Sequence, residues 1–153
     1  MSYEQFYSRF PELAIAETRV ITIFPDSVVP LPPGEYGLME AYCTEPGCDC
    51  RRVFLNVVAP GKSEVQAVIS YGWERRAFYV RWFGRDDPDV IRELKGPALA
   101  LGQPQSALAP QILDTVKQVV LTDQAYVQRL KRHYQMFRAS LPTPIKSSQA
   151  PRR

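Results

Sequence analysis

All three cysteines of this 153-residue chain fall inside one run, Tyr42 to Arg52, written YCTEPGCDCRR. No other feature constrains the fold as strongly. An apolar, strand-like segment, Tyr36 to Tyr42, leads into the run, and another, Val53 to Val58, leads out of it. Pro46-Gly47 supplies the turn between them. Two strands joined by so short a connection pair antiparallel, which gathers the thiols at one end of the hairpin.

The rest of the chain extends this hairpin into an α+β domain. Tyr3 to Phe10 reads as a short helix with Ser2 as its cap and Pro11 as its end. Thr18 to Phe24 is rich in β-branched residues and predicts a strand. The proline-rich segment Pro25 to Gly34 is a stiff connector. Val65 to Tyr71 follows Val53 to Val58 after the turn Ala59-Pro60-Gly61-Lys62, so the spacing predicts an antiparallel β-meander. Ala77 to Phe83 (AFYVRWF) is expected to continue the sheet. Asp87-Pro88 caps a short helix through Leu94. Gly96 to Pro110 reads mainly as loop, and helices are expected from Pro110 to Leu121 and from Asp123 to Ser140, packed on one face of the sheet. Residues 1–140 form a single domain in this reading, and 141–153, with prolines, serines and basic residues, form a flexible tail.

The spacing C-x4-C-x-C around a turn suits metal ligation. Thiolates at the ends of a tight hairpin can each reach one ion at about 2.3 Å, the bond length of zinc to sulfur. With three cysteines, any internal disulfide leaves one thiol over, which favours metal binding further. Cys43, Cys48 and Cys50 are therefore the expected zinc ligands. Asp49, Arg51 and Arg52 stand around them, the two arginines offsetting thiolate charge and donating hydrogen bonds to sulfur. Tetrahedral zinc needs a fourth ligand, and the chain has one histidine, His133. Helical spacing turns it to the same face as Leu130, Tyr134 and Phe137, where it either packs as a core histidine or joins the thiolates. In the second case the last helix docks across the cysteine turn; failing His133, Asp49 or a water takes the fourth position. Two other readings of the cysteines stand beside the metal: inert packed thiols, and a redox pair of Cys48 with Cys50.

The pattern Tyr42-Cys43-x4-Cys48-Asp49-Cys50-Arg51-Arg52-Val53, together with the pair His133-Tyr134, resembles a group of small uncharacterised bacterial proteins. The resemblance covers the middle strands and the last helix. It implies one domain and no established activity.

Composition excludes several classes of function. With 45% hydrophobic and 23% charged residues the chain has the balance of a globular protein, with no apolar run long enough to span a bilayer and no hydrophobic leader. A cytoplasmic protein is the expectation. The motifs H-E-x-x-H, H-x-E with P-C-x-x-C, G-x-S-x-G and the glycine-rich phosphate loop are absent. An enzyme would have to use the cysteine turn itself, as a metal or thiol-redox catalyst, with Glu45 or Asp49 as acid or base. Arginines and aromatics interleave from Trp73 to Arg85 as in a nucleic-acid contact, but a net charge of +3 favours an ordinary strand. The reading is thus a zinc-binding interaction or regulatory module with an unknown protein partner; the alternatives are the enzyme and weak nucleic-acid binding.

Overall fold

A computed structural model describes residues 2–142. The expected basic tail, from residue 143 onward, lies outside the described residues. The centre of the fold is the antiparallel meander that the cysteine hairpin begins. Strand β3 (Gly34–Cys43) pairs with β4 (Arg52–Val58), and β4 pairs with β5 (Val65–Gly72). On the other edge of β3, β2 (Arg19–Ile23) lies along its first half and β1 (Tyr3–Gln5) along its second. The two-residue strand β6 (Ala98–Leu99) closes the sheet beside β5, so the order is β1-β3-β4-β5-β6 with β2 also on β3. All pairings are antiparallel.

Alternation along the strands divides the sheet into two faces. Leu38 and Tyr42, Val53, Leu55 and Val57, and Ala67 and Ile69 point to one face and are buried. Helix α5 (Ala109–Thr115), the π-helical turn that continues it (Val116–Val120), and α6 (Gln124–Ala139) cover that face. They contribute Ile112, Val116, Val120, Leu130, Tyr134 and Phe137 to one contiguous core. Each fully buried aliphatic side chain of this kind stabilises the fold by about 1.5–3 kcal/mol relative to exposure. The spacing that predicted α6 is the spacing that fills this core. The opposite face carries Ala41, Phe54, Asn56 and Ser70. Helix α4 (Pro88–Lys95) packs there through the buried Ile91, and the hydroxyl of Ser70 donates to the carbonyl of Glu93. Asp87 caps α4 as expected, its Oδ1 accepting from the amides of Asp89 and Val90.

Two expectations are corrected. Tyr3 to Phe10 is not one helix capped by Ser2: the chain pairs as β1, then turns through α1 (Phe6–Arg9) and α2 (Pro11–Glu17). Tyr3 lies opposite Cys43 and its ring stacks on Phe54 with centroids 4.3 Å apart, contacts distant in sequence that outweigh local helix preference. Pro11 opens α2 instead of ending a helix, because a first-turn position needs no amide hydrogen. Ala77 to Phe83 is likewise no strand but part of α3 (Arg76–Phe83), closed by Gly84 in the left-handed conformation at φ 100. Aromatic residues favour strands only where a sheet edge accepts them, and β6 occupies the edge of β5. Among the described residues, no helix is long and apolar enough to cross a membrane.

Candidate metal centre

Cys43 is the last residue of β3 and Cys50 stands two residues before β4, so sheet pairing alone brings their side chains together. Between them, Gly47 takes φ 79 and the amide of Cys48 closes a turn onto the carbonyl of Glu45 at 3.1 Å, which folds Cys48 back over the other two. The three sulfur atoms lie within 4.8 Å of one another. Sulfurs bound tetrahedrally at about 2.3 Å from an ion stand roughly 3.8 Å apart, so the cluster needs little movement to close on one. The three cysteines could hold a metal ion. Cys43 and Cys50 are fully buried, whereas Cys48 is half-buried beside a cleft bordered by Trp73, Lys131, Tyr134 and Arg138.

A strained residue sets the approach to β4. Arg51 has φ 50, a left-handed conformation that a non-glycine residue adopts only when its surroundings hold it there. Two tyrosines do so. The amide of Arg51 donates to the hydroxyl of Tyr134 at 3.1 Å, and the hydroxyl of Tyr79 donates to the carbonyl of Arg51 at 2.9 Å. Gly72 makes room for the second contact, since a Cβ there would collide with the Tyr79 hydroxyl.

The thiols differ in acidity. A hydrogen bond from Cys50 lowers the pKa of Cys43 to about 6 despite burial, helped by the Glu45 amide at 3.4 Å from its sulfur, by Cys48 and by the positive charge of Arg138. Cys50 is pushed up because its proton serves Cys43 and because it is buried. Burial, then the neighbouring Cys43, raises Cys48. Cys43 is therefore the most acidic thiol of the cluster, favoured as thiolate by donors that a cation can replace.

Helix α6 docks across the cysteine turn, as the sequence suggests, but not through His133. Arg138 donates to the carbonyls of Cys43 at 2.8 Å and Glu45 at 2.6 Å, and the Tyr134 hydroxyl donates to Asp49 at 3.2 Å. The ring of His133 is buried elsewhere, stacked on Phe6 with centroids 4.2 Å apart. Its Nδ1 meets Glu40 at 2.7 Å and its Nε2 meets Glu17 at 2.7 Å. Both ring nitrogens are committed to carboxylates, so the expectation of His133 as fourth ligand is corrected. Asp49 is also turned away, its carboxylate held by Arg51 at 2.8 Å. The arginines meet the expectation in charge, at Arg52, while the hydrogen bonds of both run to oxygen atoms. Arg51 pairs with Asp49 and Glu74 and lies over the Phe78 ring, while Arg52 is buried and donates to Leu94, Tyr3 and Ser70. Arg52 acts on Cys50 by charge, lowering what burial raises.

The residues missed from the sequence are Tyr3, Tyr79 and Arg138. The phenol of Tyr3 lies against Cys50. Arg138 was legible in principle, four residues after Tyr134 on the same side of α6. Tyr3 carries no local signal. In the interleaved segment, Arg76 pairs with Asp86 and Arg85 with Asp87.

No family model matches the chain. No solved structure matches it. A stretch of 100 residues is 29% identical to part of the Calcium homeostasis endoplasmic reticulum protein of Mus musculus, covering 65% of this chain and 9% of that protein. The chain thus spans under a tenth of that relative's length.

Proposed function

We propose that the chain is a zinc-binding domain in which Cys43, Cys48 and Cys50 hold a structural ion that closes the turn between β3 and β4, while Arg138 and Tyr134 fasten that turn to α6, and that it serves as an interaction or regulatory module. The observation that carries this reading is the convergence of three sulfurs within 4.8 Å at one turn. An all-sulfur donor set selects zinc over harder cations. Calcium, the word in the mouse relative's name, takes about six to eight oxygen ligands and does not suit three thiolates. The chain's only histidine is engaged with Glu17 and Glu40, so water is the fourth ligand in this reading. Burial of Cys43 and Cys50 and the grip of Arg138 on two turn carbonyls favour a structural role over turnover.

A thiol-redox function is the second reading, and one observation supports it: the sulfurs of Cys43 and Cys50 lie within 4.8 Å of each other, where a hydrogen bond from Cys50 lowers the pKa of Cys43. Metal analysis together with thiol titration separates the two. Protein purified without added metal or chelator carries about one zinc per chain in the first reading. In the second it carries none and forms a disulfide with mild oxidant.

A further inference from the structure

His133 is the chain's one histidine, and its buried ring ties three other elements to α6. The ring lies on Phe6 of α1 and sets each nitrogen 2.7 Å from a carboxylate oxygen. Nδ1 meets Glu40 of β3, and Nε2 meets Glu17, the last residue of α2. A neutral imidazole has one N–H and one lone pair, so it donates to one carboxylate only. Both contacts are satisfied by the imidazolium. Burial opposes that charge, but Glu40 and Glu17 outweigh it and hold the pKa above the ordinary value.

The two carboxylates are held differently. Glu40 is buried, and its Oε1 also accepts from the Tyr42 hydroxyl at 2.7 Å. Glu17 keeps 28% of its side chain exposed and also meets Arg132 at 2.6 Å. A buried carboxylate that loses its donor has no water to turn to, whereas Glu17 has. Of the other groups nearby, Tyr42 of β3 and Tyr126 of α6 are kept neutral by burial. Arg129 and Arg132 of α6 and Arg19 of β2 supply positive charge, and α1 brings only the uncharged Phe6.

Helix α2 is lightly attached. Among the described residues, every hydrogen bond between α2 and α6 ends on Glu17: from His133, from Arg132, and from Arg129 to its carbonyl at 2.9 Å. Only Ala14 of its seven residues is buried, and an apolar cavity of about 550 Å³ separates it from Met39, Val58 and Val65 of the sheet. An element with so little packing opens locally at small cost.

We infer that His133 is a proton-operated latch on α2: the imidazolium clamps Glu40 and Glu17 together, and the neutral ring keeps Glu40 and releases Glu17 to water. Nε2 gives its proton to solvent while Nδ1–H stays on Glu40, so α2 loosens as β3 and α6 remain joined. No cysteine takes part.

NMR on the full-length, isotope-labelled chain across about pH 5 to 9, where histidine titrates, tests the latch. With one histidine, the ring nitrogen signals report its protonation directly. Amide exchange, corrected for the intrinsic effect of pH, reports the protection of each helix. The expected result is an imidazolium in acid. As Nε2 loses its proton, the amides of Ala14 and Thr18, bonded to Phe10 and Ala14, should lose protection by about tenfold or more, while Leu130 and Tyr134 of α6 keep theirs. Glu17→Gln bonds either form of the ring, so its α2 protection should no longer follow pH; a loss caused by the thiols would persist there. If that variant does not fold, the ring and amide curves of the parent decide alone. A ring already neutral at about pH 5, level α2 protection while His133 titrates, an equal loss from α6, or the same loss in folded Glu17→Gln would overturn the assignment.

Discussion

The guanidinium of Arg138 donates to the main-chain carbonyl of Cys43 at 2.8 Å, joining the last helix to the first cysteine across 95 residues of chain. A second bond from the same side chain reaches the carbonyl of Glu45. Arg138 thus orients the turn that carries the thiols and adds positive charge beside Cys43. Groups that orient metal ligands in this way typically change affinity by about 10–100-fold when removed. Arg138→Ala should weaken zinc binding by about tenfold in competition with a chelator, and Arg138→Lys, which keeps the charge, by less. Equal affinity in both variants and the parent would show that α6 merely packs on the turn.

The cysteines should divide by burial. Cys50 is fully buried and Cys48 half-buried at the cleft. Both Cys48→Ser and Cys50→Ser should lose the metal, and both should melt lower, because binding free energy to the folded state is folding free energy. Cys50→Ser should fall further, since it also places a hydroxyl in the core. A serine variant of either that melts with the parent would argue for redox use.

His133 gives a pH dependence that does not involve the metal. Burial alone would lower its pKa, but the hydrogen bonds and charges of Glu40 and Glu17 outweigh burial and raise it above the ordinary value of about 6.5. The stability this contributes is fully present below about 6.5 and is lost as pH rises through the raised value. Glu17 behaves in the opposite sense: the hydrogen bond from His133 lowers its pKa, so its contribution is present above the ordinary carboxylate range and fades as pH falls through the lowered value. Thermal melts should therefore show a contribution from this cluster that is largest in mildly acidic solution. His133→Ala should abolish it, costing about 3 kcal/mol there, with zinc content unchanged. Loss of zinc from that variant would reinstate His133 as a ligand.

Arg51 tests the strained entry to β4. A β-branched residue is poorly tolerated at φ 50, whereas glycine adopts it freely. Arg51→Val should destabilise the chain by about 1–2 kcal/mol more than Arg51→Gly in denaturant titrations. Tyr79→Phe, which removes the donor to the Arg51 carbonyl, should cost about 1–2 kcal/mol. Equal stability of the valine and glycine variants would mean that Arg51 relaxes out of the left-handed region.

What was legible in the sequence was local. The Pro46-Gly47 turn, the apolar strands on either side of it and the stripe Tyr126-Leu130-Tyr134-Phe137 each encode their structure within a few residues, and the meander and α6 follow from them. Contacts between distant segments were not legible. Tyr3 reaches β3 through main-chain pairing opposite Cys43, which any side chain could make. His133 looked available as a ligand because its carboxylate partners, Glu40 and Glu17, stand 93 and 116 residues before it. AFYVRWF suits a strand or a helix equally, and the choice was made by β6 on the edge of β5 and by Gly84 after Phe83.

Elemental analysis decides whether the cysteine turn holds a metal. Protein purified without added metal or chelator should contain about one zinc per chain, and its three thiols should react slowly with a thiol dye until a chelator is added. A metal-free chain whose thiols all react at once, and which melts at the same temperature with and without added zinc, would contradict it.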